Sequence, residues 1–115
     1  AHFRAIETVA LENFAGNSNA IIACGGGTPC FNNNMKWMNS NGITIYLKAS
    51  PDEIVMRVKN EQAQRPLIKN LQREELLPFI ERKLEERESF YSQAKHILLV
   101  SSLSLTTINN ILTNQ

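Results

Sequence analysis

The chain has 115 residues, 43% of them apolar and 20% charged, with a net charge of +1. That is enough for one domain around one core, and it gives no bulk electrostatic case for nucleic acid or a membrane surface. No apolar run reaches the length of a membrane span and no signal peptide opens the chain, so the expected location is the cytoplasm.

The first element predicted is a helix. Phe3, Ile6, Ala10 and Phe14 share one helical face, with Leu11 beside them, and Gly16 and Asn17 end it. Glu7 falls inside that apolar arc, with Arg4 at its edge three residues back. The two form either a surface ion pair or a paired charge on a core-facing stripe. Next, Ala20–Cys24 reads as a buried strand of a parallel sheet that stops on Gly25, Gly26 and Gly27. Glycines allow φ > 0 and let a ligand approach main-chain N–H groups, and ligands of α/β sheets sit at the carboxyl ends of strands. The run is therefore either one wall of a ligand site or a tight turn without one. Cys24 and Cys30 flank it with no His nearby, which fits loop or core thiols better than a metal site or a disulfide.

Phe31–Ser40 is predicted helical through Met35, Trp37 and Met38, with Asn41-Gly42 as its stop. Ile43–Leu47 reads as a second strand. Ser50-Pro51-Asp52-Glu53 starts a helix that carries Ile54, Val55 and Val58 and ends near Asn60: Ser as N-cap, Pro at the first position, Glu three residues on. Lys59 to Gln72 lacks a clean period and holds Lys59, Arg65 and Lys69. Pro66 pushes Arg65 onto extended chain. The stretch is either a mobile lid or a solvated connector.

Arg73–Ala94 is the longest helix predicted, its regular part beginning nearer Pro78. Leu76, Ile80, Leu84, Arg87 and Tyr91 follow i, i+4, i+8, i+11, i+15, which sets Arg87 in the apolar stripe. A guanidinium there needs an anion, either a structural Glu or the carboxylate of a bound molecule. Ile97–Val100 is a third strand opened by His96, which reads as structural, and Ile108–Leu112 lies on a closing helix capped from the Ser101–Thr107 run. Alternation of this kind is α/β with a parallel sheet, in one domain over 1–115 with a lid at about 59–72. Charge is uneven along it: residues 1–50 carry five charged side chains, 51–95 carry eighteen and 96–115 none.

Phe3-Arg4 with Glu7, Ile21–Gly27, Arg65-Pro66-Leu67-Ile68, and Arg87 with Tyr91 and Ala94 together resemble shikimate kinase, over nearly the whole chain. The resemblance implies a three-layer P-loop kinase fold. It implies transfer of the ATP γ-phosphoryl to the 3-hydroxyl of shikimate, in aromatic amino-acid biosynthesis. Arg4 and Arg87 would hold the shikimate carboxylate. Gly25, Gly26 and Gly27 would bring main chain against the ring and its hydroxyls, and Glu7 would orient Arg4 or a substrate hydroxyl. Arg65 would reach the transferring phosphate from the lid, and Arg57 would pack on adenine. The implied partners are shikimate and ATP with Mg²⁺, and the implied complete protein is a monomer.

One departure is large. No G-x-x-x-x-G-K-[ST] occurs in these residues. In the family that loop cradles the nucleotide phosphates and helps hold Mg²⁺, and its strand lies mid-sheet. The expectation is a C-terminal part lacking the N-terminal strands, inactive alone, with the Mg²⁺ ligands in the absent segment. The strands at Ala20–Cys24 and Ile43–Leu47 would then lack the neighbour between them. The run Ser101–Ser104 also offers no basic residue where the family often has one near the nucleotide. Alternatives are another small-molecule kinase of this fold, such as a gluconate kinase, or a non-catalytic substrate-binding fragment.

Overall fold

A computed structural model describes residues 2–16, 19–65 and 68–113. Its elements are α1 (His2–Glu12), α2 (Asn34–Asn41), β1 (Ile45–Lys48), α3 (Pro51–Val58), α4 (Arg73–Tyr91), β2 (His96–Leu99) and α5 (Leu105–Thr113), with short 3-10 turns at Thr28–Cys30, Gln62–Gln64 and Val100–Ser102. β1 and β2 pair in parallel, Ile45 opposite His96 through Lys48 opposite Leu99. A parallel pair needs a long crossover, and α3 with α4 provides it.

The core sits under that crossover. Ile68, Leu76 and Ile80 are buried together, with Ile54, Val55 and Val58 of α3 and Leu71, Phe79 and Leu84 packed on them. Ser50 caps α3 as expected: its Oγ accepts from Glu53 N–H at 3.2 Å, and Ser50 N–H donates to Glu53 Oε1 at 3.3 Å. Ser104 and Thr107 cap α5 reciprocally in the same way. Within 59–72, the Gln62 side-chain amide donates to the Ile68 and Leu71 carbonyls, each at 2.8 Å. This stretch is thus tied to the core at Ile68, and Arg65 has the extended backbone that a following proline imposes. Pro66 and Leu67 lie outside the described residues, as does the helix stop read at Asn17.

Several expectations change. Ala20–Cys24 is not a strand: among the described residues it has no ladder partner, and Ile21 is fully exposed. A strand exists through its neighbour's hydrogen bonds, and the described residues supply none to this stretch. α1 buries Leu11 and half-buries Arg4, Glu7 and Thr8, while Phe3 (65% exposed), Ile6 and Val9 face outward. Of the predicted apolar face only Leu11 is buried, with Glu7 half-buried on the same arc. α2 begins at Asn34 rather than Phe31, because Asn32 and Asn33 take left-handed φ values of 53° and 58°. α4 is regular from Arg73, straight through Pro78. Its start is held by Gln72 N–H to Glu75 Oε1 at 2.9 Å and by the complete burial of Leu76.

Candidate functional site

The glycine run leads directly into the Thr28–Cys30 turn, which Thr28 N–H closes on the Gly25 carbonyl and Cys30 N–H on that of Gly27. No described glycine has a positive φ, and Gly27 sits at −90°. Backbone freedom is therefore not what the run supplies. Space is. A Cβ at Gly27 would stand 2.5 Å from Arg4 Nη2, and one at Gly26 would stand 2.7 Å from Arg87 Nη1 and 3.2 Å from the Tyr91 hydroxyl. At Gly25 the nearest atom would be Thr28 Oγ1, at an ordinary 3.5 Å. Two guanidiniums from opposite ends of the chain thus lie against adjacent glycines.

Each arginine has its own support. Arg4 Nη1 donates to Glu7 Oε1 at 2.9 Å, and Thr28 Oγ1 donates to Glu7 Oε2 at 2.7 Å. The Arg4 guanidinium also lies 4.2 Å from the centre of the Phe31 ring, a cation–π contact. Burial alone would raise the Glu7 carboxyl, but the Thr28 hydrogen bond and the Arg4 charge outweigh it and hold the group below its ordinary range. The pair is more than a surface ion pair, because it ties α1 to the glycine turn. Thr28 is anchored in turn by the buried Asn34, whose Nδ2 donates to the Thr28 carbonyl at 2.9 Å.

Arg87 lies half-buried on the stripe that the spacing of α4 predicts. Its guanidinium and the Tyr91 hydroxyl crowd the same point over Gly26, and that hydroxyl donates to the Gly26 carbonyl. No Asp or Glu among the described residues forms an ion pair with it. The Tyr91 ring packs 5.2 Å from that of Tyr46, whose hydroxyl donates to Glu88 Oε2 at 2.8 Å. Burial, then the Glu88 carboxylate, raises the Tyr46 hydroxyl. The Cys30 thiol sits among the same groups: burial pushes it up, while Arg87 and Arg4 pull it down. Cys24 and Cys30 are both free thiols.

The structure thus brings together Arg4, Glu7, Gly26, Gly27 and Arg87, with Gly25 one residue behind. Arg65 is not joined to them: exposed, it pairs with Glu61 at 2.9 Å inside its own loop. Arg57 is exposed in the last turn of α3 and forms no ion pair among the described residues. Thr28, Phe31, Asn34 and Tyr46 escaped the sequence reading as supporting residues, since none sits in a motif or at a periodic position that marks it. A solvent-open groove of about 330 Å³ between α1 and α2, lined by Thr8, Glu12, Asn32, Lys36 and Trp37, includes neither the glycines nor Arg87. Among the described residues no three His, Cys, Asp or Glu side chains gather to hold a metal ion.

The shikimate kinase family model matches residues 1–114. The shikimate kinase of Bacteroides thetaiotaomicron is 39% identical over 103 residues, 90% of this chain and 59% of that protein. That of Azobacteroides pseudotrichonymphae is 40% identical over 97% of this chain and 65% of its own length. A crystal structure of shikimate kinase from Bacteroides thetaiotaomicron superposes with a TM-score of 0.82 at 35% identity, covering 97% of this chain and 64% of that one. The chain therefore spans about three-fifths of the length of the relatives it matches. With Arg4 and Arg87 folded against the glycine turn and that match running from end to end, the chain belongs to the shikimate kinase family.

Proposed function

We propose that these residues form the acceptor side of a kinase that moves the γ-phosphoryl group of ATP onto the 3-hydroxyl of shikimate. The observation that carries this reading is Arg87, a half-buried guanidinium with no carboxylate partner among the described residues, set beside Arg4 on the glycine turn. Two planar forks of this kind suit a small carboxylate. Arg4 and Arg87 hold the acid. Gly25–Gly27 offer main chain to the ring. Glu7 positions Arg4, since both of its oxygens already accept hydrogen bonds from Arg4 and Thr28. Arg65 reaches the transferring phosphoryl from the 59–72 lid, where a cation stabilises developing charge, and Arg57 packs on adenine.

The Mg²⁺ ligands and the loop that cradles the ATP phosphates belong to the share of the family fold outside these residues, which contain no G-x-x-x-x-G-K-[ST]. The complete protein acts as a cytoplasmic monomer on two small molecules. The test is acceptor-dependent ADP release by the full natural chain, with shikimate and gluconate compared. Shikimate should be used and gluconate left idle, and residues 1–115 alone should turn over neither. Gluconate preference, or ordinary kinase rates from the 115 residues, would contradict the reading.

A further inference from the structure

Three groups meet around the Tyr91 hydroxyl. The Arg87 guanidinium and the Tyr91 hydroxyl stand over the same point of Gly26, and the hydroxyl donates its only proton to the Gly26 carbonyl. A side chain at Gly26 would collide with Arg87 and crowd the Tyr91 hydroxyl, so guanidinium, hydroxyl and backbone meet at one point. The ring behind the hydroxyl is fixed by Tyr46 at 5.2 Å, and Tyr46 by Glu88, which Lys48 also approaches at 3.4 Å. Tyr91 and Glu88 lie on α4, Tyr46 and Lys48 on β1, so the hydroxyl is held between two elements. Arg87 lacks what Arg4 has: among the described residues it has neither a carboxylate nor an aromatic face to set its plane.

We propose that Tyr91 is a positioning residue for the acceptor carboxylate. Its hydroxyl orients the Arg87 guanidinium and fixes the distance from that guanidinium to the Gly26 main chain. A planar fork binds a carboxylate well only when its plane is set beforehand, and Tyr91 sets it. The hydroxyl itself does not touch the acceptor. This inference rests on the reading that Arg87 binds the acid.

The experiment is calorimetric titration of the full natural chain with shikimate and with its methyl ester, which keeps the ring and removes the negative charge. The proteins are wild type, Tyr91→Phe, Tyr46→Phe and Arg87→Ala. Tyr91→Phe keeps the ring stack and removes only the hydroxyl. It should weaken binding of the acid about tenfold, the scale of one misaligned charge-assisted hydrogen bond, and leave the ester within about twofold. Tyr46→Phe should leave both ligands within about twofold of wild type, because the ring contact survives. Acid binding unchanged in Tyr91→Phe, with Arg87→Ala strongly weakened, would overturn the Tyr91 inference and leave the reading of Arg87 standing. Unchanged binding in Arg87→Ala would overturn both. Equal losses for acid and ester in Tyr91→Phe would mark a merely structural role and also overturn the inference. A readout that needs no folded variant is the Arg87 side-chain Nε–H resonance of the ligand-free wild type. It should be sharp and slow to exchange, and a freely rotating guanidinium would overturn the proposal.

Discussion

A Cβ at Gly27 would meet Arg4 Nη2 at 2.5 Å and one at Gly26 would meet Arg87 Nη1 at 2.7 Å, whereas one at Gly25 would meet nothing closer than 3.5 Å. The colliding atoms are the far ends of flexible side chains, so the arginines yield rather than the fold. Gly26→Ala and Gly27→Ala should therefore change stability by about 1 kcal/mol or less, the range of substitutions that open no cavity and bury no charge. They should weaken shikimate binding by roughly tenfold, through displaced guanidiniums. Gly25→Ala should be neutral in stability and have the smallest effect of the three on binding, and thermal melts with calorimetry on the three variants decide the matter. A larger effect at Gly25 than at its neighbours would count against this division of roles. The glycines were legible as a place of close approach, but not in kind: the sequence suggested left-handed backbone, and the structure shows room for side chains arriving from α1 and α4. Nothing local to Gly26 or Gly27 encodes those arrivals. Arg87 was legible because the spacing of α4 alone sets it between Leu84 and Tyr91.

Helix α1 is held less by apolar burial than by one polar network. Phe3, Ile6 and Val9 face outward and only Leu11 is buried, while Glu7 links Arg4 to Thr28 of the glycine turn. The Glu7 carboxyl is held below its ordinary value of 4.5, so its contribution is present above that value and is lost as pH falls through the lowered one. Hydrogen bonds to a charged group of this kind contribute roughly 1.5–3 kcal/mol. Hydrogen exchange of the α1 amides in the full natural chain should show protection at pH 6 that is lost as the pH falls below the ordinary carboxyl value. Glu7→Gln should be poorly protected throughout, and equal protection of wild type and variant at pH 6 would refute the tether. Elements defined by neighbouring residues were well read: the Ser50-Pro51-Asp52-Glu53 start, the closing helix and the stripe of α4. Those defined by partners elsewhere were not. Ala20–Cys24 has strand composition without a ladder, and α4 runs through Pro78 because burial of Leu76 rewards the turn ahead of it.

At the scale of the molecule the chain is open. It exposes 8334 Å², against about 6,300 Å² for a compact monomer of its mass. Its radius of gyration is 15.5 Å, where about 13 Å is usual for this length. Both faces of the sheet leave apolar side chains in solvent, Ile45 and Leu47 on one, Ile97 and Leu99 on the other, although parallel sheets are ordinarily covered on both sides. The relatives it matches are longer, and we propose that the share of the family fold outside these residues covers those faces and carries the nucleotide. The residues proposed to hold the acceptor are nonetheless brought together here: α1 brings Arg4, α4 brings Arg87, and the turn between them brings the glycines. The most direct test is calorimetric titration of shikimate into the full natural chain and its Arg4→Ala and Arg87→Ala variants. Each variant should lose about 2 kcal/mol or more, roughly 30-fold in affinity, as expected when one partner of a part-buried charge pair is removed. Affinity within twofold of wild type in either variant would contradict a carboxylate held between the two arginines.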